Sequence, residues 1–310
     1  MTGPAVIAEA LTRRFGEVAA LEGVSFEVQP GELFGFVGPD GGGKTTLFRI
    51  LVTLLEPDEG RASVLGLDVV RDLWAIRRKV GYMPGRFSLY PDLSVEENLD
   101  FFASVFGTTV EAGMPTIAPI YHQLAPFASR RAGALSGGMK QKLALSCALV
   151  HLPAILFLDE PTTGVDAVSR REFWDLLAGL RRGGLTIVVS TPYMDEASRC
   201  DRVALIQRGR LLGVDTPLEV ARSFAGTVYE VRAAERYRAL LALRRYPHAD
   251  TVHLFGEALH YTDRRHAPPG DVPGEVVAFL RSEGIAADVA PAPPTIEDTF
   301  IQRMGAPEAA

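Results

Sequence analysis

The stretch Gly38-Pro39-Asp40-Gly41-Gly42-Gly43-Lys44-Thr45-Thr46 decides the fold of this 310-residue chain. It matches the pattern G-x-x-x-x-G-K-[ST], in which glycines allow backbone N–H groups to turn towards a phosphate. The apolar run Leu33–Val37 before it is typical of a buried strand. After it, apolar residues recur at helical spacing, at Leu47, Ile50, Leu51, Leu54 and Leu55. A strand, a glycine loop and a helix in this order predict a phosphate site in an α/β fold.

Two side chains of this loop have predicted contacts with a nucleotide. Lys44 is predicted to contact the β- and γ-phosphates, and the hydroxyl of Thr45 to hold Mg²⁺. The positive N-terminal end of the following helix would point at the same phosphates. The alternative is a glycine-rich turn with a chance lysine, but the strand and helix on either side argue against it.

A second motif, Ile155-Leu156-Phe157-Leu158-Asp159-Glu160, is an apolar strand that ends in two carboxylates. Ligands of parallel sheets bind at the carboxyl ends of the strands. We therefore expect Asp159 to act on Mg²⁺, directly or through water, and Glu160 to polarise the attacking water. Such an end can also be an ordinary solvated strand end, so this prediction depends on the phosphate loop.

Composition restricts the class of protein. With 47% hydrophobic residues, 23% charged residues and a net charge of −6, the chain is expected to be globular and not to bind nucleic acid broadly. Cys147 and Cys200 are isolated, which argues against a disulfide scaffold or a zinc site built from cysteines. The longest nearly apolar stretch, 143–158, is shorter than the roughly 20 residues of a membrane helix. We expect no secretion signal and no membrane span.

A third motif, Leu135-Ser136-Gly137-Gly138, lies 23 residues (159 − 136) before Asp159. With the other two motifs in this order, it resembles the signature of ABC ATPases. The resemblance, which covers roughly 6–216, implies a P-loop ATPase domain that binds ATP with Mg²⁺ and contains a helical subdomain. It also implies a head-to-tail dimer in which Ser136, Gly137 and Gly138 of one chain contact the γ-phosphate held by the other. Ser136 suits this role because serine caps helix N-termini, which favour anions.

The same resemblance implies two further site residues. Phe15 occupies the position of an aromatic side chain that stacks on adenine, although a phenylalanine near a strand can also be a core residue. Asp166, in Gly164-Val165-Asp166, occupies the D-loop position and would face the partner subunit.

The chain departs from the family pattern at two positions. Gly85 stands where members of the family carry a glutamine that senses Mg²⁺ and the attacking water. Pro192 stands where they carry a histidine that contacts the γ-phosphate. Neither side chain can replace those groups, so the chain's own site is expected to hydrolyse ATP slowly while still binding it.

The chain is predicted to contain an ATPase domain over 1–225, with a helical subdomain over about 86–150. Strand and helix patterns over 226–294 follow the order βαββαβ, which predicts an accessory, separable α+β domain of ferredoxin-like type. A short helix and a tail are expected over 295–310.

The predicted function is an ATP-binding and ATP-hydrolysing subunit that powers transport, with export as the expected direction. Three stretches, 83–99, 190–197 and 294–300, resemble a subgroup that pairs with separate permeases of the ABC-2 type. The expected partners are an integral-membrane permease and a second ATPase subunit, identical or different, on the cytoplasmic side of the cell membrane. Phe87, Leu89 and Tyr90 are predicted either to dock on the permease or to belong to the core.

Two alternatives remain open from the sequence. A soluble ABC ATPase acting on ribosomes or nucleic acid usually has tandem ATPase domains or a long coiled coil, and this chain shows neither pattern. Another P-loop enzyme is the third possibility. A GTPase would need an Asn-Lys-x-Asp motif, which is absent from the sequence, and a small-molecule kinase would not explain 135–138.

Overall fold

The computed structural model describes residues 3–86, 88–265 and 268–305. They belong to two compact units, which divide between Pro217 and Leu218. None of the described helices combines the length and the apolar character that a membrane crossing requires.

The first unit contains two sheets and a helical part. Its strands are β1 (Val6–Phe15), β2 (Val18–Val28), β3 (Leu33–Val37), β4 (Glu59–Val64), β5 (Leu67–Asp68), β6 (Val80–Met83), β7 (Ile155–Asp159), β8 (Thr186–Thr191), β9 (Arg202–Gln207) and β10 (Arg210–Asp215). Its helices are α1 (Lys44–Leu51), α2 (Leu73–Arg77), α3 (Val95–Val105), α4 (Val110–Tyr121), α5 (Gly137–Leu149), α6 (Ala167–Arg182) and α7 (Met194–Ala197).

The larger sheet positions the predicted site. Its strand order is β10-β9-β3-β8-β7-β6, and all pairs are parallel except β10 with β9. Every residue of β3, β7 and β8 is buried, as expected for a parallel sheet covered on both faces. The carboxyl ends of these three neighbouring strands therefore bring the phosphate loop, Asp159 and Thr191 to one edge. The smaller sheet is antiparallel, in the order β2-β1-β4-β5.

Aromatic packing holds the helix that follows the phosphate loop. Phe48 of α1 is fully buried and lies edge-on to Phe36 of β3 and Phe157 of β7, with ring centroids 5.9 Å apart in both pairs. The helix is shorter than its apolar spacing predicts. It ends at Leu51, because Thr53 has a φ of 65°, and Leu54 is 57% exposed.

The helical part lies between β6 and β7 in the chain. A capping box starts α3, in which the hydroxyl of Ser94 accepts from the backbone of Glu97 and the carboxylate of Glu97 accepts from the backbone of Ser94. Helix α4 packs closely on the end of α5, since a Cβ atom on Gly113 would lie 2.3 Å from the carbonyl oxygen of Val150.

The second unit has its own core. Its elements are α8 (Pro217–Arg222), β11 (Val228–Ala233), α9 (Arg236–Leu243), β12 (Ala249–Phe255), β13 (Ala258–Asp263), α10 (Val272–Ser282), β14 (Ala287–Ala292) and α11 (Ile296–Gly305). From β11 to β14 the order is βαββαβ, in an antiparallel sheet ordered β12-β13-β11-β14. Leu259, Tyr261 and Val276 are fully buried in the core.

This unit begins at Leu218, before the predicted boundary between 225 and 226, and it includes the C-terminal helix. The reason is a pair of contacts between α11 and the segment before β11. The hydroxyl of Thr299 donates to the carbonyl of Val220 at 3.0 Å, and Gln302 donates to the carbonyl of Ala225 at 2.7 Å.

Candidate nucleotide site

The phosphate loop has a backbone that only glycine can provide at several positions. Gly41 and Gly43 have φ angles of 77° and 101°, in the left-handed region. A Cβ atom on Gly38 would lie 1.9 Å from the carbonyl oxygen of Ile206, and one on Gly43 would lie 2.4 Å from that of Ala20. The glycines therefore allow the loop to approach its neighbours closely and to turn its N–H groups towards an anion.

Lys44 is the centre of the site. Its ammonium group donates to the carbonyl oxygens of Gly38 at 2.8 Å and Pro39 at 3.0 Å, and it lies 3.0 Å from the carboxylate of Glu160. The side chain is only 2% exposed, and a buried charge needs such partners. The outer side of the loop, at Asp40 and Gly41, is exposed. The ammonium group thus connects the loop to the end of β7.

Ser190 of β8 positions the two carboxylates at the end of β7. Its hydroxyl donates to Asp159 at 2.6 Å and accepts from the backbone N–H of Glu160 at 3.0 Å. Glu160 has a φ of 50°, which is uncommon for a residue other than glycine. Burial, followed by the negative charge of Asp159, raises the pKa of Tyr82 to about 12.

Of the two departures from the family pattern, Gly85 lies beside these carboxylates, and Pro192 directly follows the end of β8. A Cβ atom on Gly85 would lie 3.0 Å from the carbonyl oxygen of Asp159 and 3.8 Å from the Cβ atom of Glu160. Pro192 follows Thr191, whose carbonyl oxygen accepts from the N–H of Gly38 at 3.3 Å. The site therefore has no side-chain amide or imidazole at either position.

The signature residues begin α5, as predicted. The hydroxyl of Ser136 accepts from the N–H of Met139 at 3.4 Å, and both Ser136 and Gly137 are exposed. Gly138 packs on α6, because a Cβ atom there would lie 2.6 Å from the hydroxyl oxygen of Ser169. Among the described residues, no hydrogen bond or ion pair joins 136–138 to the loop 38–46. Within the part of the chain that the structure describes, the signature therefore makes no polar contact with the phosphate loop.

Asp166 also has a local role, which is to cap a helix. It is the N-cap of α6, and its carboxylate accepts from the backbone of Val168 at 3.1 Å and of Ser169 at 3.0 Å. These hydrogen bonds, first that from Ser169, lower the pKa of Asp166. The carboxylate is exposed, so the predicted contact with a partner subunit stays a prediction.

Phe15 ends β1 with its side chain 49% exposed, so the alternative that it is a core residue is wrong. The guanidinium group of Arg13 lies 5.1 Å from the ring centroid. Stacking on adenine stays a prediction.

Glu196 is a further residue of this site, and it was not predicted from the sequence. This carboxylate is buried and accepts hydrogen bonds from the hydroxyls of Thr162 and Thr191. It therefore links the loop after Glu160 to the end of β8. No local pattern marks it, because its two partners are 34 and 5 residues away in the chain.

Comparison with known proteins agrees with this geometry. The profile of the family described as ABC transporter matches residues 21–163. The probable multidrug ABC transporter ATP-binding protein YbhF of Escherichia coli (strain K12) is 45% identical over 212 residues, which are 68% of this chain and 37% of that protein. The daunorubicin resistance ATP-binding protein DrrA2 of Streptomyces coeruleorubidus is 35% identical, over 98% of this chain and 96% of that protein. This chain thus spans about a third of the first relative but nearly all of the second.

A solved structure shares this fold over about two-thirds of the chain. The dimeric, post-hydrolysis state of the ATP-binding cassette MJ0796, bound to ADP and Pi, superposes with a TM-score of 0.61 and 26% identity, over 68% of this chain and 98% of that one. The predicted P-loop ATPase fold is therefore confirmed. Identity of 35% along nearly the whole of an ATP-binding protein shows that this chain belongs to the ABC transporter family and contains its ATP-binding domain.

Proposed function

We propose that this chain hydrolyses ATP to power export through a separate membrane permease, on whose cytoplasmic side it lies. The observation that carries the proposal is the position of Lys44, 2.8 Å from the carbonyl of Gly38 in the phosphate loop and 3.0 Å from the carboxylate of Glu160. A group that binds phosphate thus lies beside a group that can polarise water. The multidrug and daunorubicin resistance names of the two relatives favour export.

Mg²⁺ fits the site as the companion of the nucleotide. The hydroxyl of Thr45, next to Lys44 in the first turn of α1, and the carboxylate of Asp159 are the hard oxygen donors that Mg²⁺ prefers. When bound, the ion would neutralise charge on the phosphates. The N–H groups of the loop and Lys44 would hold the phosphates, while Glu160 would orient the attacking water.

A second chain would complete the site. Ser136 and Gly137 are exposed at the N-terminal end of α5, and among the described residues they make no hydrogen bond to their own phosphate loop. Exposed N–H groups at a helix start favour an anion. This supports the proposal that they contact the γ-phosphate bound by a partner ATPase subunit.

An apolar groove is the proposed dock for the permease. It has a volume of about 590 Å³ and lies beside β6 and α3. Its large exposed side chains are Leu54 (57%), Trp74 (68%) and Val105 (61%). Such a patch suits an apolar helical segment of the permease.

The residues predicted to dock from sequence differ in their surroundings. Leu89 also lines the groove, but it is only 6% exposed and belongs to the core. Tyr90 is 47% exposed and packs edge-on against Phe101, with centroids 4.7 Å apart. Phe87 lies outside the described residues.

Replacing Trp74 with glutamate is expected to release the chain from membranes that contain the permease. A charge in an apolar interface must lose its hydration, whereas Trp74 is too exposed to be needed for folding. The measurement is co-sedimentation with such membranes, and Tyr237→Glu, at a side chain that is 66% exposed in the second unit, is the matched control. ATP binding should be unchanged in both variants. Full retention of Trp74→Glu on the membranes would contradict the dock.

A chain truncated after Pro217 is expected to keep its affinity for ATP within about twofold. The first unit contains every predicted nucleotide contact, and the second unit has its own core of buried residues. Binding of a fluorescent ATP analogue to the truncated and full chains would measure this. A truncated chain that does not fold would show that the two units are not separable.

A further inference from the structure

Three side chains of types that bind metals meet in the second unit, and none of them belongs to the three nucleotide-site motifs. His253 of β12 and His260 of β13 are directly opposite each other across the antiparallel pair, so their side chains share one face of the sheet. Asp298, in the first turn of α11, contacts both. Its Oδ1 atom lies 2.9 Å from Nδ1 of His260 and 3.1 Å from Nε2 of His253.

The cluster is buried, and one member lacks hydrogen-bond partners. The side chains of Asp298, His260 and His253 are 0%, 3% and 16% exposed. The 3.1 Å contact of His253 does not have hydrogen-bond geometry, and both of its ring nitrogens are buried without a hydrogen-bond partner among the described residues. An unpaired polar atom in such a place costs about 1–3 kcal/mol. A ligand that bonds to the imidazole nitrogen would remove this cost.

We propose that His253, His260 and Asp298 form a binding site for a divalent metal ion of the zinc class. Ligand atoms of one tetrahedral zinc ion are about 3.3 Å apart, given Zn–N distances of about 2.0–2.1 Å. The three donor groups here lie within 4.8 Å of one another, and two of their separations are 2.9 and 3.1 Å. Small rotations of the two rings bring the third pair together, because the χ2 angle of histidine is broad.

The donor set selects the metal. Two imidazole nitrogens and one carboxylate suit Zn²⁺ and late first-row ions, whereas Mg²⁺ and Ca²⁺ prefer oxygen ligands alone. Three protein ligands leave a fourth position for water. This site therefore differs in chemistry from the proposed Mg²⁺ site at Thr45 and Asp159.

Neighbouring residues orient the ligands. The N–H and hydroxyl groups of Thr295 donate to Oδ2 of Asp298 at 2.8 and 2.7 Å, and the ring of Phe255 stacks on His260 with centroids 4.2 Å apart. Outer contacts of this kind fix metal ligands. Asp298 contacts Thr295 because both residues lie at the start of α11. That position gives no reason for two histidines to contact the same carboxylate.

The bound ion would join α11 to strands β12 and β13 within the second unit. An ion that binds the folded chain only would raise the thermal stability of this unit with metal concentration. ATP binding would not depend on it, since none of the three residues belongs to the nucleotide site.

The test is a zinc titration of the full chain, purified without a histidine tag and stripped with a chelator, in excess Mg²⁺. We expect one tightly bound Zn²⁺ per chain by elemental analysis, and a melting temperature that rises with zinc. His253→Gln and Asp298→Asn should each weaken binding by at least about 100-fold. His122→Gln, which changes an exposed histidine in the first unit, is the matched control and should bind as the wild type does.

Two results would overturn the proposal: no zinc bound by the wild-type chain, or equal affinity in His253→Gln and wild type. If Asp298→Asn does not fold, His253→Gln still decides, because His253 is the least buried of the three and lies on the edge strand β12. Unchanged ATP binding in His253→Gln would show that the nucleotide site is intact whichever way the zinc result falls.

Discussion

Lys44→Ala is expected to weaken ATP binding by about 10- to 100-fold, because a charge-assisted hydrogen bond to phosphate contributes about 1.5–3 kcal/mol. The structure adds a second reason. The ammonium group also binds the carbonyl oxygens of Gly38 and Pro39, so its loss loosens the loop that presents N–H groups to the nucleotide. Equilibrium titration with a fluorescent ATP analogue in the presence of Mg²⁺ measures the affinity.

Lys142→Ala is the matched control for this prediction. Lys142 is also a buried lysine, 9% exposed, and its ammonium group lies 2.6 Å from the carboxylate of Glu172, outside the nucleotide site. Its loss should lower the free energy of unfolding and leave ATP affinity unchanged. An affinity of Lys44→Ala within twofold of wild type would show that the nucleotide site is placed wrongly.

The chain's own ATP site is expected to turn over ~10²–10³-fold more slowly than the same site with glutamine at 85 and histidine at 192, because each preorganised group that stabilises transition-state charge has about this effect. Positions 85 and 192 both lie where a side chain could affect ATP hydrolysis. Gly85 lies against Asp159 and Glu160. Pro192 follows Thr191, whose carbonyl oxygen accepts a hydrogen bond from Gly38 of the phosphate loop. The two effects need not multiply, since groups acting as a unit are not additive.

Steady-state ATP turnover of Gly85→Gln, Pro192→His and the double variant measures this effect. A side chain at 85 begins 3.0 Å from the carbonyl of Asp159, so Gly85→Gln alone requires a shift of a few tenths of an ångström. ATP affinity, which depends on Lys44, should be the same in all variants. Wild-type turnover equal to that of the double variant would contradict a slow site.

The assembled transporter distinguishes two forms of this prediction. If the partner ATPase is a different chain with glutamine and histidine in place, Glu160→Gln should leave total turnover near wild type, since the intact signature 135–138 serves the partner's site. If the dimer has two identical chains, Glu160→Gln should abolish turnover. Because Gly85 and Pro192 replace the two family side chains, we expect turnover near wild type. The retained Glu160 is the argument for the opposite result, loss of turnover in a dimer of identical chains.

Features that depend on neighbouring residues could be predicted from the sequence, whereas features that depend on distant contacts could not. The strand β3 and the serine cap of α5 were predicted correctly, because each depends on residues a few positions apart. The helix α1 was predicted too long. Apolar spacing continues to Leu55, but the left-handed backbone at Thr53 and the exposure of Leu54 are not visible in that spacing.

The sequence by itself determined the phosphate loop, the paired carboxylates and the signature, because glycine freedom, strand burial and helix capping are local properties of the chain. Only the tertiary structure decided that Glu196 links the loop after Glu160 to the end of β8, that Leu89 is a core residue, and that His253, His260 and Asp298 meet. Each of these depends on contacts between distant parts of the chain. Strand pairing and helix packing create such contacts, and the spacing of residues in the sequence does not predict them.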